Sequence, residues 1–231
     1  MNNGRIVTVD GPAGSGKSTL GRALAKDLGL PLIDTGLFYR GVMVAAVRAG
    51  IDGTDPEVLG MLARRTSLSV DTDPRSGSGT VLVDGVAAAA QLHDPRHAAL
   101  LAAIAGEPQV RAAVLELQRR PAHDGAVAVG RDCGTVVFPR AAVKLYLDAP
   151  QAVREQRRLA QLRARGANTD GSAIRAEVGD RDRSDSQRTA SPLRRADDAR
   201  VIDTSMMGKD EMIAYALSVC AAAGLHPLSA R

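Results

Sequence analysis

The first apolar run, Ile6 to Val9, is short and rich in branched side chains, and it stops at the turn signal Asp10-Gly11-Pro12. From Lys17 onward Leu20, Leu24 and Leu28 recur at helical spacing, and Gly29 stands where a C-cap belongs. Leu32-Ile33 is a second short buried strand, ending at Asp34-Thr35-Gly36. Strand, glycine loop, helix and strand in that order open a parallel α/β sheet. Val127 to Val129 and Val143 to Leu147 add two more buried strands, followed by Gly130-Arg131-Asp132 and by Asp148. A helical pattern runs from about 151 to 165 and stops at Gly166, and a second covers about 172 to 188. Arg200 to Asp203 is a last strand, and Met207 to Ala221 a closing helix.

The stretch from about 42 to 105 breaks this rhythm. Leu68 to Val70 and Val81 to Val83 alternate like strands, and the residues between them, Asp71 to Gly79, have turn composition. Alanine- and leucine-rich helical stretches flank them. The pattern predicts a subdomain inserted into one α/β domain. The divisions are a core at about 1–45, 106–150 and 189–231, an insert at 46–105, and a helical lid at 151–188.

A chain of 231 residues hides roughly 70% of its unfolded surface, enough for a real core. No apolar run approaches the ~20 residues that a membrane helix needs, and Met1-Asn2-Asn3-Gly4-Arg5 carries no apolar signal core. The two cysteines, Cys133 and Cys220, have no metal-ligand spacing, and a reducing cytoplasm is expected. The formal charge is +4, and only Lys17, Lys26, Lys144 and Lys209 are lysines, so 26 of the 30 basic residues are arginines. Arginine grips phosphate through paired hydrogen bonds. Aromatics are only 2% and Trp is absent, which leaves few stacking platforms for single-stranded nucleic acid. The basic balance fits nucleic acid or, equally, a polyanionic small molecule, and about half of the arginines are expected on the solvated surface.

Gly11-Pro12-Ala13-Gly14-Ser15-Gly16-Lys17-Ser18 fits G-x-x-x-x-G-K-[ST], with a strand before it and a helix after it. Glycines let successive N–H groups turn inward onto phosphate oxygens, and the helix start adds its positive dipole end. Lys17 would reach the β- and γ-phosphates, and the Ser18 hydroxyl would ligate Mg²⁺. The loop predicts a nucleoside triphosphate with Mg²⁺ but does not name what receives the phosphoryl group. That must come from the other loops at the carboxyl edge of the strands.

Two such loops are visible. After the second strand, Thr35 offers a hydroxyl and Arg40 a phosphate fork; the alternative is a helix N-cap and a surface arginine. After the third, Gly130 would let backbone approach a ligand, Arg131 would bind an acceptor phosphate, and Asp132 would accept from an amino group or orient an arginine. Cys133 reads as a packed small residue. On the second lid helix Arg181, Asp185 and Arg188 share one face, either to hold ribose and phosphate or as an exposed ion-paired surface. Arg154, Arg157 and Arg158 share a face of the first. The two arginine faces read as a lid that closes over triphosphate and excludes water.

These segments resemble bacterial cytidylate kinases, of the nucleoside monophosphate kinase group. The resemblance runs from about 5 to 222 and is carried by Ile6 through Thr19, Asp34-Thr35-Gly36 with Tyr39-Arg40, Pro108-Gln109-Val110-Arg111, Gly130 to Pro139, Lys144 to Ala149 and the stretch from Arg181 to Pro192. It implies a three-layer P-loop core with a parallel sheet, a monophosphate-binding insert, a short lid, and transfer from ATP to CMP or dCMP. By resemblance Arg111 and Asp132 read the cytosine edge, and Arg181 and Asp185 hold the ribose. Arg40, Arg131 and Arg188 bind the acceptor phosphate, Thr35 and Tyr39 belong to the same site, and Arg157 and Arg158 lie on the ATP side. Lys17, Arg131, Asp132 and Arg188 would form the catalytic set, in a monomer. The sequence departs from the family at Ala102, where many members carry a base-contacting serine. It also departs at Ala87 to Ala90 and Leu92-His93-Asp94, where an insert signature is lost. The rival expectations are another P-loop kinase, with UMP, AMP or a shikimate-like acceptor, and a non-catalytic nucleotide- or RNA-binding protein.

Overall fold

The computed structural model describes residues 2–73, 76, 79–89, 91–164, 171–188 and 190–227, the side chains of 172, 173, 176, 177 and 181 excepted. The chain starts with β1 (Ile6–Asp10), buried along its whole length, and α1 (Lys17–Leu28), whose C-cap is Gly29 in the left-handed region. Next are β2 (Leu32–Asp34) and α2 (Gly36–Arg48). Apolar residues cover α2 on every side, so it is a core helix, and it crosses the boundary expected near 45. α3 (Pro56–Arg65) begins where Asp55 accepts from the N–H groups of Glu57 and Val58, with Pro56 preset for the first turn.

β3 (Leu68–Thr72), β4 (Gly79–Val83) and β5 (Val86–Ala87) form a three-stranded antiparallel sheet. β5 was not visible in the sequence, because two residues of an alanine-rich tract carry no period. α4 (Ala98–Gly106) and α5 (Pro108–Arg119) follow. Then come β6 (Ala126–Val129), a π-turn at Cys133–Val137, and β7 (Val143–Asp148). α6 (Gln151–Ala164) and α7 (Gly171–Gln187) fall where two lid helices were expected. The Gly166 stop expected between them lies outside the described residues. β8 (Arg200–Asp203) and α8 (Lys209–Ala222) close the chain.

The main sheet has the order β2-β6-β1-β7-β8 and is parallel throughout. Alternation along β1 and β6 splits the core into two layers. Ile6, Ala126 and Ala128 face α2 and α5, while Val7, Val9, Val127 and Val129 face α1 and α8. The result is a three-layer α/β fold. Its carboxyl edge carries the loops after β1, β2 and β6 side by side, because those three strands are neighbours. No single helix among the described residues is long and apolar enough to cross a membrane.

Candidate active site

The loop after β1 is built around its glycines. Gly11 sits at φ 144°, and a Cβ there would stand 2.2 Å from the Leu147 carbonyl oxygen, so only glycine lets the loop pass the end of β7. Gly16 is the N-cap of α1 and brings no side-chain acceptor, so nothing on that residue competes for the first-turn N–H groups. Lys17 is buried, and its Nζ donates to the Pro12 carbonyl at 2.5 Å, which curls the ammonium over the loop. Ser18 is exposed at the start of the helix.

Asp10 joins this loop to the next one. Its Oδ1 accepts from the Cys133 N–H at 2.9 Å and its Oδ2 from the Gly134 N–H at 2.7 Å. One carboxylate at the end of β1 thus holds the start of the π-turn directly after Arg131 and Asp132. Burial pushes the Asp10 carboxyl up to about 6, with repulsion from Asp132 adding to it, while the two backbone N–H groups pull the other way. Sequence reasoning passed over Asp10. An acid between Val9 and Gly11, at the end of a fully apolar strand, was the signal.

Two of the residues expected at the ligand make contacts within the sheet edge. Thr35 is buried, and its Oγ1 donates to the Val129 carbonyl at 3.0 Å, locking β2 to β6. It makes no side-chain N-cap bond either; Asp34 Oδ1 accepts from the Gly36 N–H in that place. Gly130 owes its lack of a side chain to packing, since a Cβ there would meet Thr35 Oγ1 at 2.3 Å and Cys133 Sγ at 2.6 Å. Cys133 is the packed small residue expected, and burial raises its thiol well above the ordinary range.

The residues expected on the acceptor side lie close to one another. Arg111 and Asp132 form a buried ion pair, and Arg111 Nη1 also donates to the Ala105 carbonyl at 2.7 Å. The Arg111 guanidinium lies 5.0 Å from the centre of the Tyr39 ring, which adds a cation–π contact. Burial pushes the Tyr39 phenol up to about 12. Asp185 sits between two arginines: Arg131 Nε donates to its Oδ2 at 2.7 Å, and Arg188 Nη1 lies 3.5 Å from its Oδ1. Asp185 therefore joins α7 to the loop after β6, and is not an exposed surface pair. The Arg181 side chain lies outside the described ones. Arg40 Nη1 donates to the Leu92 carbonyl at 2.5 Å, and burial lowers the Arg40 pKa, with repulsion from Arg158 and Arg131 acting the same way. Arg40, Arg131 and Arg158 thus share one positive field. Arg111 Nε and Arg188 Nη2 are buried without a hydrogen-bond partner among the described residues. Buried donors of this kind call for a ligand.

The arginine face expected on α6 is dispersed. Arg154 is buried against the phosphate loop, with Nη1 on the Ala13 carbonyl at 3.0 Å. Arg157 holds Thr204 through Nη1 to Oγ1 at 2.9 Å and Nη2 to the carbonyl at 2.5 Å, and Thr204 in turn donates to Ser15 O at 3.3 Å. Arg158 Nη1 donates to Gln161 at 3.2 Å. Of the two departures, Ala102 is exposed on α4, and His93 is exposed beside the Leu92 carbonyl that holds Arg40.

The family model described as "Cytidylate kinase" matches residues 7–222. A cytidylate kinase of Pelotomaculum thermopropionicum is 41% identical, covering 92% of this chain and 94% of its own. One from Haemophilus influenzae, cytidylate kinase 1, is also 41% identical, covering 92% of each, and one from Rhodococcus opacus is 40% identical over 93% of each. Among solved structures, a gluconokinase from Sinorhizobium meliloti aligns over 96% of this chain and 94% of its own, at 16% identity and a TM-score of 0.43. Since the family model spans residues 7–222 and relatives about 40% identical are covered over more than nine-tenths of their length, this chain belongs to the cytidylate kinase family.

Proposed function

We propose that the protein transfers the γ-phosphoryl group of ATP to CMP or dCMP, giving ADP and CDP or dCDP. The observation that carries this reading is the buried Arg111–Asp132 pair at the carboxyl edge, one loop away from Lys17. Cytosine presents an amino donor beside ring acceptors. A carboxylate accepts from that amino group, and a guanidinium donates to the acceptors. Uracil would turn an oxygen toward Asp132, so the pair favours cytosine on charge alone.

The remaining roles follow from position. Arg40, Arg131 and Arg188 would bind the acceptor phosphate, Asp185 and Arg181 the ribose, and Tyr39 would line the base site beside Thr35. Residues 46–105 would form the monophosphate-binding insert and 151–188 the lid. The phosphate loop, with Arg157 and Arg158, would take ATP. Among the described residues no cluster of His, Cys, Asp or Glu is built to hold a metal by itself. Mg²⁺ is commonly held by one or two protein oxygens plus substrate phosphates. Ser18 would supply the protein oxygen, and the ion, when bound with ATP, would neutralise phosphate charge.

No covalent nucleophile is required. A phosphate oxygen of CMP, largely ionised at neutral pH, attacks the γ-phosphorus in line, and ADP leaves. Catalysis is positioning plus charge stabilisation. Lys17 and the Arg40–Arg131–Arg158 field would hold the charge spread over the transferred group, and closure of α6 and α7 would keep water from acting as acceptor. Buried free thiols at Cys133 and Cys220 support a cytoplasmic setting. The test is ADP release from ATP-Mg²⁺ with CMP, dCMP, UMP, AMP and water in turn. Turnover with CMP or dCMP well above the others is expected; equal or greater turnover with UMP or AMP overturns the assignment.

A further inference from the structure

Arg154 was expected to face the triphosphate with Arg157 and Arg158, but its side chain is only 8% exposed and is engaged within the protein through Nε and Nη1. Nε donates to the Ala149 carbonyl at 2.9 Å, Nη1 donates to the Ala13 carbonyl at 3.0 Å, and Nη1 also lies 2.6 Å from Asp182 Oδ2 on α7. The fit against the loop is close. A Cβ on Gly14 would stand 2.9 Å from the Arg154 carbonyl oxygen.

The Ala13 contact has a consequence for the next peptide. In a planar trans peptide the C=O and the following N–H point in opposite directions. Holding Ala13 O toward α6 therefore holds the Gly14 N–H away from α6. Loop N–H groups of this kind are what cradle nucleotide phosphates. A buried guanidinium is costly without a counter-charge, and Asp182 supplies it. Asp182 and Asp185 are one turn apart on α7, on the same face. One reaches the donor loop through Arg154, and the other holds Arg131 and Arg188 on the acceptor side.

We propose that Arg154 and Asp182 are positioning residues: the ion pair sets the Ala13–Gly14 peptide for the phosphates of ATP and fastens α7 to the donor loop. This rests on the kinase reading and adds to it, since neither side chain touches substrate. The test compares wild type, Asp182→Asn, and the apolar pair Arg154→Met with Asp182→Leu. Steady-state kinetics are run with ATP and CMP varied separately, alongside calorimetric titration of ATP-Mg²⁺ without acceptor and thermal melts. Asp182→Asn should raise the ATP KM and Kd roughly tenfold, the scale of a lost charged hydrogen bond. The CMP KM should stay within about twofold, because the interaction lost is on the donor side only. The apolar pair should melt near wild type, as buried ion pairs replaced by apolar residues often do, yet still bind ATP weakly. Unchanged ATP affinity in either folded variant overturns the proposal, as does a CMP KM that rises in step with that of ATP. The calorimetric arm needs no acceptor, so a wild type that makes no CDP would sink the kinase reading while still deciding this one.

Discussion

The proposed donor and acceptor halves of the site are built in opposite ways. The proposed donor half centres on one contiguous loop between β1 and α1, whose residue types are dictated by backbone geometry and which Arg154 on α6 braces from outside. The proposed acceptor half is drawn from separate segments: Tyr39 and Arg40 on α2, Arg111 on α5, Arg131 and Asp132 after β6, and Asp185 and Arg188 at the end of α7. A contiguous loop takes most of its shape from its own sequence. A dispersed site needs every element in register before its charges meet, and its buried ion pairs stand or fall together.

That contrast is sharpest at Asp132. Asp132→Ala leaves the Arg111 charge buried without its carboxylate, which should cost about 3–5 kcal/mol of stability and weaken CMP use. Urea melts and the CMP KM check it, and an unchanged KM in a folded variant would remove Asp132 from the site. Lys17→Ala strikes the donor half. It should lower kcat by roughly a hundred- to a thousandfold, the usual loss for one charge-stabilising group, while the melting temperature stays near wild type. Near-normal turnover would defeat the donor assignment.

Asp10, which ties the two halves together, gives a pH signature. Its carboxyl is at about 6 in the fold against an ordinary 3.8. Below about pH 4 the folded and unfolded chains both hold that proton, and the group's favourable contribution is fully present. Between about pH 4 and pH 6 the unfolded chain ionises first, so the contribution is lost as pH rises through the folded value. The loss across the window is about 3 kcal/mol. Chemical denaturation at stepped pH should show this decline, and Asp10→Asn should flatten it; the same slope in the variant would refute the role. The smallest effect is expected at Thr35→Val, which removes the hydroxyl bond to Val129 O. It should cost about 1 kcal/mol of stability with little change in CMP KM. A large KM change would return Thr35 to the ligand.

The internal partners of several expected site residues were invisible in the sequence for a common reason. Thr35 and Gly130 stand beside each other at the edge of β2 and β6, and residue type alone offers both to a ligand. Only the pairing of those strands shows that the hydroxyl and the missing Cβ serve each other. Arg154, Arg157 and Arg158 share a helical face by spacing. α6 lies close enough to the phosphate loop that the first is buried, the second reaches Thr204, and the third remains near Arg40. Asp182 and Asp10 were passed over because a carboxylate's partner lies far along the chain.

By itself the sequence determined the strand–loop–helix that receives a nucleotide, the parallel α/β order around it, and the set of arginines and aspartates from which an acceptor site is drawn. These are local properties: apolar period, glycine conformation, and residues adjacent in the chain. The tertiary structure alone decided which carboxylate faces which guanidinium, because Arg131 and Asp185, Arg111 and Asp132, and Arg154 and Asp182 are each separated by more than twenty positions and meet only when the sheet and lid helices close. Electrostatic partnership depends on distance and burial, and neither exists until the chain has folded.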